Sequence, residues 1–105
     1  MTTRQLLPNR RETENISFKQ GAMNYIVSAS RFDNGKLAEL FLNTNGKVGS
    51  EADISAADGA VAISLALQYG CPAEVLRRAM KRNADGSPMG PLARALDLMA
   101  KAKKT

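Results

Sequence analysis

The sequence predicts an α+β fold: a three-stranded antiparallel meander followed by two or three helices packed on one face. Three observations carry this expectation. Over residues 14–43 apolar and polar residues alternate with the period of a strand. Beyond Asp53 the apolar spacing lengthens to that of a helix. Between them, Asn43 to Asp53 is rich in Asn, Gly and Ser and reads as a loop.

Residues 1–13 form a flexible basic arm in this reading, since Pro8 argues against helix there. Ile16 and Phe18 alternate with Ser17 and Lys19 as the first strand, and Gln20-Gly21 is a turn. In MNYIVSASRF, Tyr25, Val27 and Ala29 share one face. Asp33-Asn34-Gly35 is a hairpin signal, because Asn and Gly tolerate positive φ. The return strand KLAELFLN places Ala38, Leu40 and Leu42 on one face and Phe41 on the other. A bare meander is marginal in water, so helices must cover it.

The first helix is expected near 55–69, with Ser55 and Asp58 in capping-box positions. It puts Ala57, Val61, Ser64 and Leu65 on one face, with Ile63 and Leu67 adjoining. Much of its surface is Ala or Leu, which predicts burial on more than one side. Gly59 inside it points to close packing against a neighbour. Gly70 occupies the position where a left-handed residue ends a helix, and Pro72 suits the first position of the next, near 72–82. Asn83 to Pro88 breaks that helix. Pro91 opens a third, 91–102, whose apolar side is Leu92, Ala95, Leu96, Leu98 and Met99. Residues 83–105 thus read as a linker and a C-terminal amphipathic helix with a basic tail.

The bulk composition limits the chemistry. The 105 residues include 44% hydrophobic residues but only 5% aromatics and no Trp, so Leu, Ile, Val, Ala and Met must build the core. No apolar run reaches the ~20 residues of a membrane span, and the N-terminus lacks the apolar stretch of an export signal. One cysteine cannot form an internal disulfide, so the cytoplasm is the default compartment and no membrane partner is expected. With no His and one Cys, neither a compact zinc site nor a Cys–His pair can be assembled. Gly46-Lys47-Val48-Gly49 has the spacing of neither phosphate-binding loop. Glu39, Glu51, Asp53 and Asp58 read as solvating carboxylates, and no cofactor is expected. Gly70, Cys71 and Pro72 read as a structural joint between helices.

Net charge is +5. The cations cluster as Arg4, Arg10 and Arg11, as Arg77, Arg78, Lys81 and Arg82, and as Lys101, Lys103 and Lys104. Arg10, Arg11, Arg77, Arg78, Lys81 and Arg82 are therefore the candidate contacts to phosphate or to an acidic partner, against the plainer reading of a solvated face. Phe18, Tyr25, Phe32 and Phe41 lie in the strand region. They read as core, with a single-stranded nucleic-acid platform as the alternative.

Three stretches carry a resemblance: LPNRR (7–11), FDNGKLAELFLN (32–43) and DGAVAISLALQYGCP (58–72). Together with AEVLRR (73–78) they resemble the TSCPD domain, the small C-terminal module of adenosylcobalamin-dependent ribonucleotide reductases. The tail GSPMGPLARALDLM is similar to stand-alone, single-domain relatives, with 14–82 as the TSCPD-like unit. The resemblance implies an α+β module linked to deoxyribonucleotide synthesis. It carries over no catalytic or cobalamin-binding residue, since the reductase barrel and its cysteine set have no counterpart here. Where the family name includes a Cys-Pro-Asp tripeptide, Cys71-Pro72 is followed by Ala73. The expectation is a non-catalytic binding or regulatory module acting on a protein partner, either a ribonucleotide reductase or a second copy. The alternatives are a small basic nucleic-acid-binding protein and an accessory part of a ribonucleotide reductase.

Overall fold

Period-two alternation is realised as three strands, β1 (Glu14–Gln20), β2 (Met23–Arg31) and β3 (Leu37–Thr44), in the order β1-β2-β3 with both pairings antiparallel. The computed structural model describes residues 3–44 and 51–102; the Gly46–Gly49 segment, Lys103 and Lys104 lie outside them. Gly21 (φ 60°) and Gly35 (φ 85°) make the two turns, in the left-handed region that favours glycine. Ile16 pairs with Val27 and Phe18 with Tyr25, whose rings stack at 5.5 Å. β1 therefore adds its Ile and Phe to the apolar face of the sheet.

A bulge between Ser30 and Arg31 shifts the β2–β3 register. Its effect is to bring Leu37, with Leu40 and Leu42, into the core cluster. Ala38, Leu40 and Leu42 are all buried, as the alternation predicts, and Leu37 is buried in addition to them.

Three helices follow: α1 (Glu51–Gln68), α2 (Ala73–Ala79) and α3 (Pro91–Ala102). The class is α+β, as the sequence predicts. α1 begins four residues before Ser55, which is thus an internal residue and not a cap. The Thr44 hydroxyl donates to Asp53 at 3.2 Å, tying the end of β3 to the first turn of α1, where a carboxylate suits the helix dipole. Ala56, Ala60, Ile63 and Leu67 face the sheet. Ser64 accepts the Leu40 N–H at 3.0 Å, with its own hydroxyl 2.9 Å from Leu40 O and Ala60 O. Gln68 donates to Ala38 O at 3.3 Å. These side chains satisfy backbone groups of β3 that the sheet leaves unpaired, so α1 closes that edge.

The expected grouping of Ser64 with Val61 and Leu65 is corrected. Ser64 is buried against β3, while Val61 and Leu65 point outward. Gly59 is where α3 crosses: a Cβ there would collide with Leu92 Cδ1. α3 delivers Ala95, Leu96 and Met99 to the same core.

α2 is shorter than expected. It stops at Ala79, and Met80 is extended (ψ 150°). Lys81 and Arg82 enter a small hairpin in which Asn83 N–H donates to Ser87 O (2.9 Å) and Met89 N–H to Lys81 O (3.1 Å). The cause is local: Gly86 is left-handed (φ 87°), and the Asp85 carboxylate accepts from both the backbone and hydroxyl of Ser87. Among the described residues no helix is long and apolar enough to cross a membrane.

Candidate interaction surface

The α1–α2 joint forms as its residue types require. Gly70 is left-handed (φ 102°), donates to Leu67 O, and Cys71 N–H donates to Ala66 O at 2.9 Å. These two bonds are a Schellman motif, in which only the C′ residue needs positive φ. Pro72 is the N-cap of α2, which thus begins one residue later than expected, and its carbonyl accepts from Val75. Cys71 is half-buried, and its Sγ lies 3.8 Å from Pro72 O. It lines a cleft of about 480 Å³ that opens over Phe32, Leu37, Leu96 and Met99. Arg77 also lines the cleft, but its guanidinium bonds to carboxylates, Glu74 at 3.1 Å and Asp97 at 3.3 Å.

The six cations singled out in the sequence fall into two places. Arg11 reaches from the arm to Glu39 with two bonds, Nε to Oε2 at 2.7 Å and Nη2 to Oε1 at 3.1 Å. Its Nη1 donates to Pro8 O, which folds LPNRR back on itself. Glu39 is only 6% exposed, on the sheet face away from the helices, so the guanidinium is its countercharge. The carboxylate in turn raises the Arg11 pKa through this hydrogen bond. Neighbouring Arg10 is exposed.

Arg77, Arg78, Lys81 and Arg82 lie together, but the exit of the chain from α2 takes Lys81 and Arg82 off the helix. Arg82 grips Asp97 of α3 with Nη1 and Nη2, both at 2.8 Å. Arg77 and Arg78 share Glu74. The arginine hydrogen bonds hold both Asp97 and Glu74 below the usual carboxylate range, Arg82 being the main cause for Asp97 and Arg77 for Glu74. Arg78 remains 80% exposed at its side chain, and Lys81 is exposed. Of the two carboxylates that bind this cluster, Asp97 has no signal in the sequence, while Glu74 is legible as a first-turn acid of α2. The Glu74 to Arg77/Arg78 spacing was legible as helical pairs; Asp97 depends on tertiary contact.

Phe18 and Tyr25 are in or against the core, and Phe32 is half-buried. Phe41 is the aromatic of the sheet's outer face, 45% exposed near Ile26. One aromatic does not make the stacked platform considered for nucleic acid.

Among the described residues, α1 carries an apolar surface that the chain itself does not cover. Ile54, Val61, Leu65 and, just past its end, Tyr69 recur at helical spacing and are 52%, 49%, 39% and 50% exposed. Ala57 and Ala62 fill the gaps between them. The two-sided burial expected of this helix is thus met on one side only by the chain itself. The arm docks at the same helix end: Gln5 N–H donates to Gln68 O (2.7 Å) and Arg4 Nε to Gln68 Oε1 (2.7 Å).

No curated protein and no solved structure matches the chain. The family model of the TSCPD domain matches residues 1–102, extending past the 7–78 stretch of the sequence resemblance to include the arm, α3 and the hairpin between α2 and α3. The chain therefore belongs to the TSCPD domain family, whose domain is associated with ribonucleotide reductases.

Proposed function

We propose that this protein is a non-catalytic TSCPD module that works by protein–protein contact, its partner being either a ribonucleotide reductase or a second copy. The observation that carries the reading is the outward face of α1, where Ile54, Val61, Leu65 and Tyr69 are about half exposed, with Ala57 and Ala62 beside them and Asp58 as the charged residue among them. A surface helix of a free-standing domain ordinarily turns polar residues to water. This one keeps an apolar stripe on the side opposite its core, a pattern that marks interaction sites.

The cation geometry supports the same reading against a nucleic-acid role. Phosphate binding requires guanidinium groups free to replace counterions. Arg11, Arg77, Arg78 and Arg82 instead bond carboxylates of their own chain.

A photo-crosslinking residue at position 61 tests the reading. The full-length protein is irradiated alone and with purified ribonucleotide reductase. A protein adduct, to this chain or to the reductase, is the expected outcome. No adduct overturns the proposal, and salt-steep binding to DNA or RNA would then put the nucleic-acid reading in its place. Turnover of a ribonucleotide by the protein alone overturns its non-catalytic part.

A further inference from the structure

We infer that the outward face of α1 pairs with the same face of a second copy, the two helices running antiparallel about a two-fold axis. This rests on the protein-contact reading above and names its occupant. The argument begins from the spacing. Ile54 and Tyr69 are equidistant from the midpoint between Val61 and Ala62, and so are Asp58 and Leu65. An antiparallel pair centred there sets Ile54 of one copy against Tyr69 of the other, with Val61 and Ala62 meeting at the axis. A two-fold interface must be self-complementary in this way.

Charge selects the same arrangement. Glu51, Asp53 and Asp58 are the charged residues of α1, all in its first half; residues 59–68 carry none. The opposite end is basic, because Arg4 is bonded to Gln68 at 2.7 Å. Antiparallel pairing brings Arg4 of each copy toward the acidic half of the other, and it opposes the two helix dipoles. Parallel pairing sets acid against acid. Ala57 and Ala62 keep the seam thin enough for close helix approach.

The size of the face sets the strength. An 18-residue helix is about 27 Å long and roughly 10 Å across. That face is well below the ~800 Å² per partner of a standard interface, so the dimer is weak and forms in a concentration-dependent way. Leu6, 72% exposed beside the docked Gln5, extends the rim.

Sedimentation equilibrium of the full chain, from about 10 to 500 µM, reads the association at concentrations suited to so small an interface. The weight-average mass should climb from that of one chain toward that of two. Leu65→Glu and Val61→Glu should each weaken association at least about tenfold. Both sites are exposed, so circular dichroism should stay unchanged. Asp58→Arg should weaken association as well, and adding Arg4→Asp to it should restore part of the loss. In a Cys71→Ser background, Ala62→Cys should form a disulfide-linked dimer on mild oxidation, while Tyr69→Cys, far from the axis, should not. A wild-type chain that stays monomeric throughout, or a dimer indifferent to Leu65→Glu, overturns the inference. If the residue at position 61 then crosslinks only to reductase, the protein-contact reading survives without the dimer. If it crosslinks to nothing, both fall.

Discussion

Residues 3–72 and the α2 segment, residues 73–89 together with the facing Asp97 of α3, both hold arginines close to carboxylates, yet the pairs do different work. In the first region Arg11 meets Glu39 at a site where the carboxylate is buried, and Arg31 ties Glu14 to the carbonyls of Gly35 and Met99. In the second region α2 contributes no fully buried residue. Leu76 and Met80 rest against the core from outside, and Glu74, Arg77, Arg78, Arg82 and Asp97 form a chain of ion pairs over them. The difference is what remains when a partner is lost. Water can replace an arginine at Glu74, but it reaches Glu39 poorly.

The comparison breaks most directly at Arg11. Arg11→Ala strands the Glu39 carboxylate, and an unpaired buried acid costs about 2 kcal/mol or more. For a domain of this size that lowers Tm by roughly 10 °C. Arg11→Ala combined with Glu39→Gln should recover much of the loss, because the buried charge is gone. Thermal melts of the two variants check this. A Tm unchanged by Arg11→Ala would mean that the arm is not a structural part of the first region.

A smaller loss is expected at the joint between the regions. Gly70 is left-handed, and a side chain there costs roughly 1–2 kcal/mol, more with β-branching. Gly70→Val should therefore lower the denaturation midpoint, while Cys71→Ser should leave it nearly unchanged, since the thiol makes just a long contact to the Pro72 carbonyl among the described residues. Urea titration of both variants compares them. Equal destabilisation by the two would assign Cys71 a packing role that its half-buried position does not indicate.

What the sequence made legible follows the range of the interactions involved. Alternation located the strands, and Gly70, Pro72 and Pro91 located helix ends, because these signals act within a few residues. The β2–β3 bulge had no local marker, and with it Leu37 is buried as well as Ala38. The extension of α2 to Arg82 failed because the Asp85–Ser87 turn and Gly86 claim Lys81 and Arg82 for a hairpin. The basic clusters were visible as charge, but their acids, Glu39 and Asp97, are 28 and 15–20 residues away from the arginines they bind. Only the fold supplies those pairings. On α1 the all-round apolar composition predicts burial on more than one side, and the chain itself buries only the core side. That Val61 and Leu65 face outward, and Ser64 inward, required the sheet edge.

Acid should act on the second region through Asp97. The Arg82 hydrogen bond depresses its pKa in the folded state. The pair's contribution is thus fully present above the ordinary aspartate value of 3.8 and is lost as pH falls through the lower, folded value. Glu74, depressed by Arg77, adds to the same loss. Between pH 5 and pH 3, wild type should lose stability more than Asp97→Asn does, whereas at pH 7 the variant should be modestly the weaker. Chemical denaturation at three pH values reads the crossing trend. Parallel pH profiles for the two proteins would show that Asp97 is not the acid-sensitive contact.

The smallest effect belongs to Arg78 and Lys81, and it sharpens the comparison from the functional side. Arg78 is 80% exposed and shares Glu74 with Arg77, an arrangement in which a surface pair contributes little to stability. Replacing both residues with Gln should therefore move Tm by no more than a degree or two. The same double variant asks whether the cluster serves phosphate. These are its most exposed cations; Arg77 and Arg82 are held by Asp97 and would have to surrender that bond to bind an anion. If the cluster is a solvated face, the double variant and wild type bind labelled DNA or RNA equally weakly at low salt. If it is a nucleic-acid surface, wild-type affinity falls steeply with salt, and the variant loses both affinity and about two units of the logarithmic salt slope, one for each phosphate contact removed. The pairing of Arg77 and Arg82 predicts the first result, and the second would move the working surface of the molecule from α1 to the α2 hairpin.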